Sequence, residues 1–138
     1  MIISQTPFRI SFFGGGSDYP NWYKYYGGEI LSTTIDKYIY LTFRELPNFF
    51  PHRYRFVYAK IASSKNLKNL KFKTVREIIE YFKIKEGLEI HYDGDLPARS
   101  GMGSSSSFVV GMIKSIYEFK KKKVTSNILA KKRIFIEQ

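Results

Sequence analysis

Two glycines one residue apart, Gly101 and Gly103, are followed at once by four serines, Ser104, Ser105, Ser106 and Ser107. That spacing suits the holding of an anion. If a helix opens on the serines, its first amides have no intrahelical acceptor and point outward with partial positive charge. Glycine lets the backbone come close to an anion because no Cβ intervenes. Serine hydroxyls can cap amides, meet phosphate oxygens or give one ligand to Mg²⁺. By itself the pattern is equally that of a serine-capped helix that needs no ligand. Two other phosphate loops are excluded. Gly103 is followed by Ser104, so no Gly-x-x-x-x-Gly-Lys-Ser/Thr is present. Ser106 stands where the third glycine of Gly-x-Gly-x-x-Gly belongs.

A second cluster lies near the start of the chain. In PFRISFFGGGSDYP (7–20), Arg9 sits on an apolar, strand-like stretch that runs into Gly14, Gly15 and Gly16, then Ser17, Asp18 and Tyr19. A fixed guanidinium can stabilise charge that develops on a phosphate, and a turn aspartate can bind hydroxyls. The same residues also read as a strand and a flexible turn with Asp18 as a cap.

Composition removes several other chemistries. The 138 residues include no cysteine, which excludes disulfides, cysteine-bound zinc and thiol catalysis. His52 and His91 are too few and too isolated for a metal site. The net charge of +11 suits a nucleic acid, an anionic membrane or phosphorylated substrates, and equally a set of solvated lysine faces. The lysines are spread out, and the run Lys120–Lys123 reads as an exposed helix end. The start of the chain lacks the pattern of a signal peptide, and no apolar run approaches the ~20 residues of a membrane span. A soluble cytoplasmic protein of one domain is expected.

The elements that must position these residues follow from periodicity. Residues 2–13 predict a strand interrupted by Pro7, with SDYPNW after it as turn material. Strands are predicted at 28–35 and 37–46, the second alternating Tyr38, Tyr40 and Thr42 against Ile39, Leu41 and Phe43. A further strand is predicted at 54–60. Thr74 and Glu77 suggest a capping box opening a helix over 74–84, with Val75, Ile78, Ile79 and Phe82 on one face. A strand at 87–97, a helix from about Ser104 to Lys120 and a last helix at 125–137 complete the order. This is an α+β arrangement without the regular alternation of a doubly wound sheet.

The whole string LPARSGMGSSSS (96–107) resembles the second signature of the GHMP small-molecule kinases, Pro-x-x-x-Gly-Leu-Gly-Ser-Ser, with Pro97, Gly101, Gly103, Ser104 and Ser105 matching and Met102 in the leucine position. PFRISFFGGGSDYP resembles the first signature. The resemblance implies the GHMP N-terminal domain, a mixed sheet packed with helices like a domain of ribosomal protein S5. It also implies ATP and Mg²⁺ as cofactors. The phosphates would lie on Pro97, Arg99, Ser100, Gly101, Met102, Gly103, Ser104, Ser105 and Ser106, with Ser105 on the metal. Arg9 would stabilise transition-state charge, and Gly14, Gly15, Gly16, Ser17, Asp18 and Tyr19 would meet the substrate. Sugar kinases of the family usually read Gly-Glu-His-Thr-Asp-Tyr at this turn. Gly15 and Gly16 replace the Glu and His, which disfavours galactose and implies a roomier pocket.

Together the two phrases are similar to the D-glycero-D-manno-heptose 7-phosphate kinase branch, which phosphorylates the anomeric hydroxyl. Another anomeric sugar kinase, fucokinase-like, is the enzyme alternative; a basic nucleic-acid-binding module is the alternative of another class, less expected because no aromatic-basic RNA signature is present. The family's downstream aspartate and third, glycine-rich signature have no counterpart, since residues 121–138 contain neither Asp nor Gly. The expectation is an N-terminal half, 1–138, without the C-terminal domain and without turnover of its own. Its partners would be ATP and a sugar phosphate, with no membrane.

Overall fold

The alternation at 38–43 becomes part of an interior strand of the sheet in the computed structural model, which describes residues 1–97 and 100–137. Ile39, Leu41 and Phe43 are fully buried, while Tyr38, Tyr40 and Thr42 between them are half-buried on the other face. Each such buried Ile, Leu or Phe contributes roughly 1.5–3 kcal/mol by leaving water. They belong to strand β2 (Leu31–Glu45), which runs unbroken where two strands were expected. Asp36 and Lys37, both exposed, lie at the register shift opposite Pro7 and Arg9, where the strand continues without ladder partners.

β2 pairs antiparallel with β1 (Ile2–Phe13) on one side and with β5 (Leu88–Gly94) on the other. β3 (Tyr54–Val57) runs parallel to β5 and forms a hairpin with β4 (Ile61–Ser64). The order is β1-β2-β5-β3-β4, a mixed five-stranded sheet, so the α+β class holds. The strand expected over 54–60 therefore ends at Val57 and turns, with the Tyr58 amide donating to the Lys60 carbonyl.

Four α-helices accompany the sheet: α1 (Pro20–Tyr26), α2 (Lys73–Tyr81), α3 (Ser104–Phe119) and α4 (Ser126–Glu137). Val75, Ile78 and Ile79 of α2 and Val109, Met112, Ile113 and Ile116 of α3 share one core with Ile39, Leu41, Phe43, Leu88 and Ile90 of the sheet. α3 can lie close to β1 and β2 because Gly111 faces them; a Cβ there would stand 3.0 Å from both Leu41 Cδ1 and Thr6 Oγ1.

Two sequence expectations are corrected. SDYPNW is not all turn: α1 opens at Pro20, a residue that suits a first helical position. Its helix buries nothing, so no apolar stripe announces it. The capping box at Thr74 and Glu77 does not form. α2 starts one residue earlier, after an extended Phe72 with no side-chain cap, because the Phe72 ring packs on Phe56 at 4.4 Å and fixes the entry.

Candidate phosphate site

Pro7 interrupts β1 at a shift of register between Pro7 and Arg9. The ladder is open there, and the glycine loop enters it. The Arg9 amide donates to the Met102 carbonyl at 3.0 Å, and the Ser107 hydroxyl donates to the Pro7 carbonyl at 2.8 Å. Two stretches about a hundred residues apart in the chain are thus tied through main-chain atoms on both sides of Phe8. Proline has no N–H to give to the ladder, so the pairing of β1 is weakest where the loop enters.

Gly101 and Gly103 both adopt left-handed backbone, φ +75° and +71°. Gly103 stands at the N-cap of α3, and no side chain caps the helix. Ser107 N–H is bonded to the Gly103 carbonyl, and the amides of Ser104 and Ser105 before it are first-turn donors without an intrahelical acceptor. Arg9 flanks the cap: a Cβ built on Gly103 would lie 3.6 Å from Arg9 Cβ and 3.8 Å from Arg9 Nε. Glycine is required here by the backbone angle, since the space itself would accept a methyl group. The Ser100 hydroxyl is enclosed and has no hydrogen-bond partner among the described residues. Arg99, expected in this loop, lies outside the described residues.

The four serines have different surroundings. Ser107 is buried and anchors the helix to β1. Ser106 accepts a bond from the Arg133 guanidinium of α4. Ser104 and Ser105 open onto a groove of about 240 Å³ whose walls are Phe56, Tyr58, Phe72, Tyr92 and Phe108. Lys73 and Thr74, at the head of α2, complete its rim. Burial and the neighbouring Tyr58 hydroxyl push the Tyr92 phenol up, so it is a neutral hydroxyl at physiological pH. Lys73, the aromatic walls and Arg133 were not singled out from sequence. The walls come from four separate elements, and only the helical phase of Lys73 and Thr74 hinted that they share an end.

The glycine turn lies where β1 ends. Gly14 has φ +82° and Gly16 φ +119°. The Ser17 hydroxyl is spent on structure, lying 2.8 Å from the Gly14 carbonyl and 3.1 Å from that of Glu29. Asp18 Oδ1 accepts the Gly16 amide at 3.2 Å, which leaves Oδ2 outward and exposed. Gly15, Gly16, Asp18 and Tyr19 are all exposed. Among the described residues no cluster of three His, Asp or Glu could hold a metal ion.

The chain as a whole is similar to known proteins. The family described as GHMP kinases, N terminal domain, matches residues 69–138. A D-glycero-alpha-D-manno-heptose 7-phosphate kinase of Campylobacter jejuni subsp. jejuni serotype O:2 is 32% identical over 127 residues, or 86% of this chain and 38% of the relative. The crystal structure of a D-glycero-D-manno-heptose 1-phosphate kinase from Bacteriodes thetaiotaomicron superposes with a TM-score of 0.81 at 25% identity, over 99% of this chain and 48% of that one. Mevalonate kinase from Methanococcus jannaschii, at 23% identity and TM-score 0.75, shares the fold over 99% of this chain and 45% of its own. The chain thus spans less than half the length of each of these relatives. With half its residues matched by the family and both signatures joined at Arg9, the chain belongs to the GHMP kinases.

Proposed function

We propose that the chain is the N-terminal half of an ATP-dependent kinase that phosphorylates the anomeric C1 hydroxyl of D-glycero-D-manno-heptose 7-phosphate to give the 1,7-bisphosphate. The observation that carries this reading is the bond from the Arg9 amide to the Met102 carbonyl, which joins the cation of the first signature to the phosphate loop of the second. The heptose phosphate named for the Campylobacter relative supports the substrate.

The amides of Ser104 and Ser105, at the positive end of α3, take the ATP phosphates, with Pro97 and Ser100 beside them. The aromatic groove beside Ser104 and Ser105 takes the nucleoside, with Lys73 at its rim. The Ser105 hydroxyl would give Mg²⁺ one ligand, which fits an ion that commonly takes most of its ligands from phosphates and water, and the ion would supply positive charge beside the nucleotide phosphates. The Arg9 guanidinium offsets the charge that builds on the transferred group. Asp18 Oδ2 accepts a sugar hydroxyl, and Gly15 and Gly16 leave room for a seven-carbon sugar. In the reaction the C1 oxygen bonds to the γ-phosphorus as the bridging P–O bond to ADP breaks, and the hydroxyl proton passes to a base. No aspartate follows Ser104 in this sequence to serve as that base.

The expected result is that the 138-residue chain binds MgATP, seen as a rise in melting temperature, and releases no ADP when heptose 7-phosphate is added. A β-branched residue in left-handed backbone is strongly disfavoured, so Gly103→Val is expected to abolish the ATP shift. ATP binding undisturbed by Gly103→Val would overturn the phosphate loop. ADP release by this chain alone would overturn the half-enzyme reading. In a full-length homologue, ³¹P NMR of the product decides whether the new ester is at C1.

A further inference from the structure

The cavity larger than the groove beside the loop lies elsewhere, between the ends of α2 and α3 and the flank of α4, with a volume of about 270 Å³. Four lysines line it: Lys83, Lys120, Lys122 and Lys132. Its apolar floor is made by Tyr81, Phe82 and Tyr117. None of these lysines has a carboxylate within ion-pair distance among the described residues, where the only paired lysine is Lys73. Lys120 donates one bond to the Phe82 carbonyl, and Lys132 donates one to the Tyr81 hydroxyl at 3.1 Å while standing 4.9 Å over the Tyr81 ring. Lys132 also bonds the Tyr117 hydroxyl; an ammonium has three donors, so Lys120 keeps two and Lys132 one for a guest.

The backbone at the two helix ends fixes where Lys83 and Lys122 leave the chain toward the cleft. α2 and α3 end alike, with a lysine in the left-handed position that glycine usually fills: Lys83 at φ 51° and Lys121 at φ 53°. The next amide, of Ile84 or Lys122, reaches back five residues to a helix carbonyl at 3.2 or 2.9 Å. Both helices also aim the negative ends of their dipoles here, which the lysines more than offset in number. Four ammonium groups without carboxylate partners around one small cleft call for a compact, multiply charged anion.

We propose that this cleft is a second anion site, distinct from the phosphate loop, which takes a small phosphorylated molecule with at least two negative charges. The phosphate lies among the four ammonium groups, and the body of the ligand lies on Tyr117. The site rests on no assumption about the reaction.

The test titrates the ¹⁵N-labelled 138-residue chain with inorganic tripolyphosphate, glucose 6-phosphate and a ten-nucleotide single-stranded RNA. Tripolyphosphate is expected to shift the Lys83, Tyr117 and Lys122 amides as a set with its own saturation curve. Glucose 6-phosphate shifting the same set would show that a phosphate ester suffices; its failure beside tripolyphosphate binding would assign the site to polyphosphate chains. The pair Lys83→Gly and Lys122→Gln removes two cations, and the first relieves a left-handed lysine, so the fold is retained. Affinity at the cleft is expected to fall about tenfold, with the loop amides unchanged. The control pair Lys65→Gln and Lys68→Gln changes net charge equally and is expected to leave cleft affinity as it was. Equal loss in both pairs, or shifts confined to residues 100–107, would overturn the proposal. RNA binding more tightly than tripolyphosphate at equal phosphate concentration would overturn the small ligand in favour of nucleic acid.

Discussion

Gly14 and Gly15 are adjacent in the turn, yet a single methyl group is expected to act very differently on them. A Cβ on Gly14 would stand 1.8 Å from the Glu29 carbonyl oxygen, and the backbone there is left-handed. Gly15 has no atom within 4 Å of such a Cβ. Gly14→Ala is therefore expected to cost at least about 2 kcal/mol in urea unfolding, from overpacking and from the angle. Gly15→Ala is expected to stay within about 0.5 kcal/mol. Glu89 offers a second test on one residue. Its side chain is 2% exposed and lies against Arg55 at 2.8 Å, Arg44, and His91 at 3.0 Å. Burial pushes the carboxyl up, but hydrogen bonds from His91 and Arg44 and the charges of both arginines outweigh it and hold it below its usual 4.5. A group with a depressed folded-state value contributes its full stability above the unfolded value and loses it as pH falls through the folded one. Stability should therefore drop as pH falls below the usual 4.5 and through the lowered folded-state value. Glu89→Gln is expected to flatten that drop and to cost about 2 kcal/mol at neutral pH, because two arginines lose their counter-charge. An unchanged acid limb in the variant would assign the loss to other carboxylates.

Helix ends were the least legible elements in the sequence, and the reason is physical. Thr74 and Glu77 have the spacing of a capping box, but the contact of Phe72 with Phe56 sets where α2 begins, and that contact spans sixteen positions. Thr74→Ala is thus expected to change stability by less than about 0.5 kcal/mol in chemical denaturation, where loss of a real N-cap would cost about 1 kcal/mol. At the other end of α3 the opposite change should help. Lys121 holds the left-handed position, and Lys121→Gly is expected to stabilise by about 0.5–1 kcal/mol. What the sequence did convey came from long periodic runs. The alternation of 38–43, the stripe of Val75, Ile78 and Ile79, and the glycine-serine opening of α3 all lie where periodicity put them. β4 and α1 escaped because one has four residues and the other buries none. The candidate site was half legible. Local phrases carried Arg9, the loop and the turn, whereas the aromatic groove draws on four distant elements that only the fold assembles.

For the molecule as a whole, charge is the quantity that no single element explains. The chain carries +11, and a net charge of one sign repels itself in the compact state. Among the described residues the only carboxylates in ion pairs are Glu77 and Glu89, so lysines on α2, α3 and α4 mostly face one another across solvent. Repulsion between exposed charges is screened over about 10 Å at 0.1 M salt. Glu89 itself is buried, so its pairs with the partly exposed Arg44 and Arg55 are screened less. Added NaCl should therefore weaken repulsion more than attraction, and the melting temperature is expected to rise by a few degrees between about 20 and 300 mM. Most domains with balanced surfaces would show little change over the same range. Sodium phosphate at equal ionic strength separates screening from binding. An anion held at the loop or in the lysine cleft stabilises by mass action in addition to screening, so phosphate should raise the melting temperature beyond NaCl. In Gly103→Val only the loop's share of that excess should vanish, while Lys83→Gly with Lys122→Gln should remove only the share of the cleft. A melting temperature that falls with NaCl would mean that surface attraction outweighs the net positive field.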